Sequence, residues 1–487
     1  MKAFLDDCSD MQNGSVPVSF LIAVVIGIVC GFAAFLYYEM LEFFLRFFWE
    51  TAPEFLSEHL FWPTCLHWVW IPIVCAPLAV LVGVGIKLIG FPGDLAYTIK
   101  CVHKDGYIAL DHVLPMLVVS QVSIVGGASL GPEAPLVAIC ASIGGWISTA
   151  VFKQRYKNLV RKHTLCGMAC ALAAFFGVPL GGSLFALEVN SRLGYEYYEH
   201  ALEAIASGTI CLVVFRTLAQ LPIEPIYKFT AVKLEASSTQ FVLTGALLGL
   251  IGAGIASLFA HGHKAIVKRL KKLGWHDDPV KLSIFGGVGI IILGILIPHT
   301  LFWGEYEMQT IGSLSPAAKL PHIWPTTGLT GFEITGFGSA VLAGFAKLLA
   351  ISFSVAGGYR GGFIFPFFAA GASFGRAIWY LFPGMSPVVA ILSMAAGINV
   401  TITRTTLATT LILAGLAGEI NAISAVLAAS LSAAFASYYM PFIEAQQGRE
   451  DIFEAQLHRY TFHNAWGKDD DTIKYEGSQI ATDVESQ

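Results

Sequence analysis

The sequence predicts an all-α integral membrane protein made of two related halves. Two observations set the class and a third sets the architecture. Only 13% of the 487 residues are charged, whereas 55% are hydrophobic and the mean hydropathy is +0.66; a soluble domain carries about 25% charge. Apolar stretches near the roughly 20 residues that a membrane helix needs recur along the chain. The clearest are 17–37, 68–89, 165–187, 201–221, 239–260, 283–303 and 385–400. Third, residues 126–145 match residues 357–376 at seven positions, mostly Gly and Pro. Such duplication in a membrane protein points to two repeats, often inverted in the bilayer.

Taken in order, residues 1–16 are polar and acidic, unlike a secretory signal, so the first apolar run reads as a retained helix. Residues 17–445 form the membrane domain, with repeats at about 17–221 and 239–445, and 446–487 form a polar tail that reads as disordered. Basic residues cluster at 153–163 and 263–276, and the positive-inside tendency places both on the cytoplasmic side. About three apolar segments lie between them, an odd number, which suggests that one segment is re-entrant. The net charge of −5 implies no nucleic-acid partner. The nine cysteines form no CxxC; Cys166 and Cys170 share a helix face and read as core packing. His261 and His263 sit in a basic stretch and read as solvated. No metal, cofactor or catalytic group is expected.

The duplicated element is "GGASLGPEAP" (126–135) in the first half and "GGYRGGFIFP" (357–366) in the second. The identities are Gly126, Gly127, Gly131, Pro135, Ala141, Ser142 and Gly144 with Gly357, Gly358, Gly362, Pro366, Ala372, Ser373 and Gly375. A weaker match sets 177–188 over 404–415. Glycine permits irregular backbone, and proline suits a first helical turn. Each element therefore reads as an irregular segment ending in a helix N-terminus, whose free N–H groups suit an anion. Irregular backbone at membrane depth must be buried in protein or line an aqueous path. One acid, Glu133, lies in the first element. Ionised, it can occupy an anion's place and close the path; protonated or swung aside, it opens it. The plainer reading is a structural Glu paired with a buried base. An ionisable residue inside the membrane is a functional hypothesis by default.

These residues resemble the CLC family of chloride channels and proton-coupled chloride exchangers. "GPEAP" (131–135) is similar to that family's G-[KR]-E-G-P motif, "GGFIFP" (361–366) to its G-G-x-F-x-P motif, and "GVPLGGSLFALEV" (177–189) to its segment entering a helix on the cytoplasmic side. The resemblance runs in order from about 20 to 445. It implies the CLC fold of tilted and re-entrant helices in two inverted repeats, and a homodimer with one anion path per subunit. It makes Glu133 the gate. It assigns the amides of Phe363 and Ile364, after Gly362, to the central anion, and those of Gly131, Pro132, Glu133 and Ala134 to the outer site; Pro132 has no N–H to give. The partners implied are chloride or other small anions, a second copy of the chain and the lipid bilayer.

Several positions depart from the family pattern. "GFPGDL" (90–95) has no serine where the family places a hydroxyl on the anion, so Gly90 or Phe91 fills that place. Pro132 replaces a basic residue. The central tyrosine falls on Ile443 in ungapped register, with Tyr438 and Tyr439 just upstream, so these three are the candidates for an inner gate. Val189 stands where exchangers usually carry a proton-transferring acid, with Glu188 one position earlier and Glu196 and Glu199 beyond. Valine cannot titrate, so the resemblance favours a passive anion channel over the alternative, a proton-coupled antiporter. The family's regulatory domains are not expected after residue 445. An intramembrane enzyme lacks a companion acid, histidine or nucleophile near Glu133. A cation transporter lacks a carboxylate cluster, since Glu188 and Glu419 are the other main acids near apolar runs. The pair Gly245 and Gly249 permits close helix contact, between subunits or within one.

Overall fold

The computed structural model describes residues 15–59, 64–154, 157–191, 197–227, 229, 234, 236–315, 328–438 and 442–446. We number the α-helices of the first half α1 (Ser15–Arg46), α2 (Ala52–His59), α3 (Trp70–Ile89), α4 (Leu95–Lys104), α5 (Val113–Val125), α6 (Glu133–Trp146), α7 (Lys157–Phe176), α8 (Pro179–Glu188) and α9 (Ala201–Leu218). The second half holds α10 (Thr239–Lys272), α11 (Pro279–Leu296), α12 (Glu305–Gly312), α13 (Phe337–Ala356), α14 (Ile364–Leu381), α15 (Pro387–Thr403), α16 (Thr406–Ala417) and α17 (Ile423–Ala436). Eight helical stretches among the described residues are long and apolar enough to cross a membrane.

The halves repeat the same packing. α1 lies on α9 as α10 lies on α17, α6 on α7 as α14 on α15, and α7 on α9 as α15 on α17. Two equivalent pairs meet each other across the pseudo-two-fold, α3 with α11 and α8 with α16. Helix lengths follow from burial. α1 has 32 residues and α10 has 34, about 50 Å each at 1.5 Å per residue, so they must tilt in a hydrocarbon core of about 30 Å. Their outer faces carry the exposed side chains Leu21, Phe32, Leu36, Leu243, Leu247 and Leu258. α7 is enclosed instead, and its buried run Gly167-Met168-Ala169-Cys170-Ala171 admits neighbours close to its backbone.

The apolar stretch 165–187, one span by sequence, is two helices. The chain breaks at Gly177 and Val178, and Pro179 starts α8 at a position where its missing N–H costs nothing. With ten residues, α8 is about 15 Å long and reaches only half-way across. α12, with eight residues, is shorter still. Of the two, only α8 lies between the basic stretches, where α7, α9 and α10 remain three helices long enough to cross.

Two expectations are resolved by packing. A side chain at Gly245 or Gly249 would run into the backbone at Ala425 or Ala429 of α17, so this small-residue pair serves contact within one subunit. His263 is not solvated: it is buried and lies against Phe259 and Phe442, with ring centroids 5.9 and 5.7 Å away. His261 is exposed. Cys166 and Cys170 are fully buried in α7 as free thiols.

Candidate anion site

The two glycine-rich elements meet at the centre of the molecule. α5 and α13 end at equivalent residues, Val125 and Ala356, and α6 and α14 begin at equivalent residues, Glu133 and Ile364. Between them the chain turns at Gly127 and Gly358, with φ of 81° and 76°, a left-handed conformation that glycine adopts without a Cβ penalty. Beyond the turns, Gly131 N–H donates to the Gly362 carbonyl at 2.7 Å, and Gly362 N–H returns to the Gly131 carbonyl at 2.6 Å. Equivalent residues that bond each other reciprocally lie on the axis relating the repeats.

A second symmetric pair flanks this bridge. Ser354 Oγ accepts from Ser129 N–H at 3.0 Å, and Ser123 Oγ accepts from Arg360 N–H at 3.1 Å. Each serine hydroxyl donates within its own helix, Ser354 to Ala350 at 2.9 Å and Ser123 to Val119 at 2.7 Å. All of these atoms are related by the same 231-residue offset. These bonds tie the irregular backbone into the protein at membrane depth, as buried backbone requires. The sequence signal for the two serines is slight, a match of Ser123 with Ser354 three residues ahead of the repeated glycines Gly126 and Gly357.

The side chains break the symmetry at the axis. Glu133 has no exposed surface. Its Oε1 accepts the N–H of Ile364, the first residue of α14, at 3.0 Å. Its Oε2 is buried with no hydrogen-bond partner among the described residues. None of the ion pairs found among those residues includes Glu133, so the reading as half of a buried pair is not met. A Cβ on either Gly131 or Gly362 would fall on the Glu133 carboxylate. The seat of the carboxylate therefore demands glycine at both bridge positions. Two helix N-termini, those of α6 and α14, converge on this one acid, and both favour negative charge there.

The other expected site residues divide into those at this centre and those away from it. Gly131 and Gly362 form the bridge. Pro132 is the N-cap of α6 and, in place of a base, lines a small apolar recess with Tyr37, Leu136, Phe175 and Phe215. Ala134 sits in the first turn of α6, half-buried. Phe363 is the N-cap of α14. Its ring meets Phe442 edge-on at 6.3 Å and Phe367 at 5.5 Å. Ile443, next to Phe442, is buried. Ile443 is thus near the centre through Phe442, whereas Tyr438 is 44% exposed. Tyr439 lies outside the described residues. Val189 is buried at the end of α8, and its carbonyl accepts from Gln446 Nε2 at 2.9 Å.

Glu188 has a defined place that its sequence did not reveal. Its Oε1 accepts the Tyr198 hydroxyl, and its Oε2 accepts Ala408 N–H in the first turn of α16 at 3.2 Å. Both oxygens are held, so Glu188 caps the repeat-equivalent of its own helix. Glu199 is on the turn before α9; Glu196 lies outside the described residues. The loop of Gly90 and Phe91 is tied by His112, whose ring lies 3.1 Å from the Phe91 carbonyl.

The fold is that of an integral membrane protein of two inverted repeats that meet at one buried acid. The chain belongs to the CLC family: the family model described as "Voltage gated chloride channel" matches residues 96–438. Among curated proteins, relatives called YfeO and named for ion transport, from Shigella flexneri and Escherichia fergusonii, are 25% identical over 396 and 397 residues. Each alignment covers 78% of this chain and 84% of the relative. Among solved structures, a slow cyanobacterial Cl−/H+ antiporter superposes with a TM-score of 0.70 at 17% identity, over 92% of this chain and 99% of its own. A CLC-type fluoride/proton antiporter gives 0.67 at 19% identity, over 89% and 98%. A eukaryotic CLC transporter gives 0.67 at 17%, over 88% and 74%. At these identities the solved structures speak for the fold.

Proposed function

We propose that the chain is an anion/proton antiporter in which Glu133 is both the gate and the proton carrier. One observation supports this most. The amide that the resemblance assigns to the anion, Ile364 N–H, is occupied by the Glu133 carboxylate. Anion and ionised carboxylate then compete for one donor. An anion that takes the amide displaces the carboxylate, and displacement is cheap only when the acid is protonated, because a bare charge loses its donor in a buried site. Mutual exclusion at a single site is the minimum needed to couple the two fluxes. The similarity to two proteins described as antiporters, for chloride and for fluoride, is consistent with this reading.

The second reading is the passive channel, and Val189 favours it. A buried valine gives the cytoplasmic side no titratable group at that position, and Glu188 beside it is fully engaged. Under either reading the working unit is a homodimer with a path in each subunit, as the resemblance implies. The deciding measurement uses proteoliposomes with a chloride gradient, no pH gradient and a pH dye inside. Exchange drives protons uphill at a fixed ratio to chloride; a channel moves chloride and leaves internal pH unchanged. A detergent-corrected mass of one chain in a fully active sample would contradict the dimer.

A further inference from the structure

The central loop of the second repeat carries a cation that the family resemblance does not use. Arg360 occupies the position equivalent to Ser129, two residues before Gly362. Its backbone N–H donates to Ser123 Oγ at 3.1 Å, one of the two symmetric ties that flank the Gly131–Gly362 bridge. Its guanidinium carbon lies 5.1 Å from the centroid of Phe91, a residue half exposed in the loop before α4. Its Nη1 is 3.7 Å from Asp94 Oδ2, beyond direct hydrogen-bond range, and Asp94 is itself half exposed. Arg360 Nε is buried with no partner among the described residues. The Asp94 carboxylate is shared with the helix: its Oδ1 accepts Tyr97 N–H at 2.7 Å as the N-cap of α4.

This is an under-compensated cation. A guanidinium has five donors in a fork, and a mostly enclosed one is ordinarily bonded to a carboxylate or to several carbonyls. Arg376 shows the usual solution in this molecule, with its Nη atoms donating to the Ser315, Leu314 and Ile334 carbonyls. Arg360 has one long ion pair and a ring face. It also lies beside the loop where the resemblance places a serine and the sequence has none. Ile364 follows it by four positions, at most about 14 Å of chain.

We infer that Arg360, held over Phe91 and restrained by Asp94, binds a small monovalent anion at the mouth of the path beside residues 90–94, in the absence of a serine there. Asp94 competes for the same guanidinium and keeps the site from holding the anion too tightly. The inference rests on the proposed anion transport and adds a site to it.

The test uses the full chain in proteoliposomes, with initial chloride flux measured across a chloride series. Arg360→Gln raises the half-saturating chloride concentration about tenfold, which corresponds to the loss of one charge-assisted contact, with a smaller change in saturating rate. Arg360→Lys, which keeps the charge, stays within about threefold of the parent. Asp94→Asn lowers the half-saturating concentration. A calorimetric chloride titration of the detergent-solubilised chain reads the same shifts without transport. A parent that carries no anion but binds chloride through Arg360 overturns the transport reading and leaves this site standing. A transporting parent with unchanged half-saturation and unchanged binding in Arg360→Gln overturns the site. Where Arg360→Gln is not monodisperse, Asp94→Asn decides: unchanged affinity overturns the site.

Discussion

The loops at 126–133 and 357–364 have one backbone and two different chemistries. Both end a helix, turn through a left-handed glycine, bond a serine of the opposite repeat, form half of the Gly131–Gly362 bridge and start a helix. Only the first carries an acid at its helix start, where the second has Ile364, and only the second carries a base, where the first has Ser129. Symmetry supplies the scaffold, which is a matter of backbone donors and acceptors. The asymmetric side chains, Glu133 and Arg360, are the ones on which the proposed gate and the inferred anion contact rest. A comparison of Glu133 with Glu188 sharpens this. Both are buried acids that accept an N–H from a helix of the other repeat. Among the described residues Glu133 leaves one oxygen unpartnered and Glu188 leaves none, so the first is held at one oxygen and the second at both.

The largest expected effect comes from removing the charge that breaks the symmetry. Glu133→Gln, a mimic of the protonated acid, abolishes proton coupling and flattens the pH dependence of anion flux, with flux retained or raised. Normal folding with an unchanged pH profile would refute the gating role. Next is the seat of that charge. Gly362→Ala places a methyl group on the carboxylate and costs about 1–3 kcal/mol by overpacking, together with loss of normal gating. In a Glu133→Ala background the same change costs markedly less. Thermal melts of the single and double variants measure that coupling directly.

Glu188→Gln tests the anchored acid. It weakens a helix cap and a charge-assisted bond, at about 1–2 kcal/mol, and the pH profile of transport keeps its parental shape. A profile altered like that of Glu133→Gln would show that the two acids do not differ as their contacts imply. The smallest effects test the symmetric ties. Ser123→Ala and Ser354→Ala each remove one cross-repeat bond and lower stability by about 1 kcal/mol. Equal losses in the two melts are expected. Only Ser123→Ala also shifts the chloride dependence, since Ser123 holds Arg360.

Much of this was legible in the sequence, for a physical reason. Lipid imposes composition: a chain with so few charges and so many apolar runs has no other stable class. The need for irregular backbone at one depth imposes glycine and proline, so the repeated element and its acid stood out. What the sequence left open depends on contacts far apart in the chain. Residues 165–187 read as one span, since apolar composition does not register a break that Gly177 and Pro179 make inside it. His263 read as solvated from its basic neighbours, yet Phe259 and Phe442 cover it. Gly245 and Gly249 suited contact within or between subunits equally well, and only the position of α17 chose. The sequence by itself determined the membrane class, the duplication and the identity of the central acid, because local composition and spacing carry those. Tertiary structure alone decided that Glu133 takes the Ile364 amide, that Glu188 is anchored on α16 and that Arg360 reaches Phe91. Each joins residues that the pseudo-two-fold or the packing of distant loops brings together, and no local pattern encodes such a meeting.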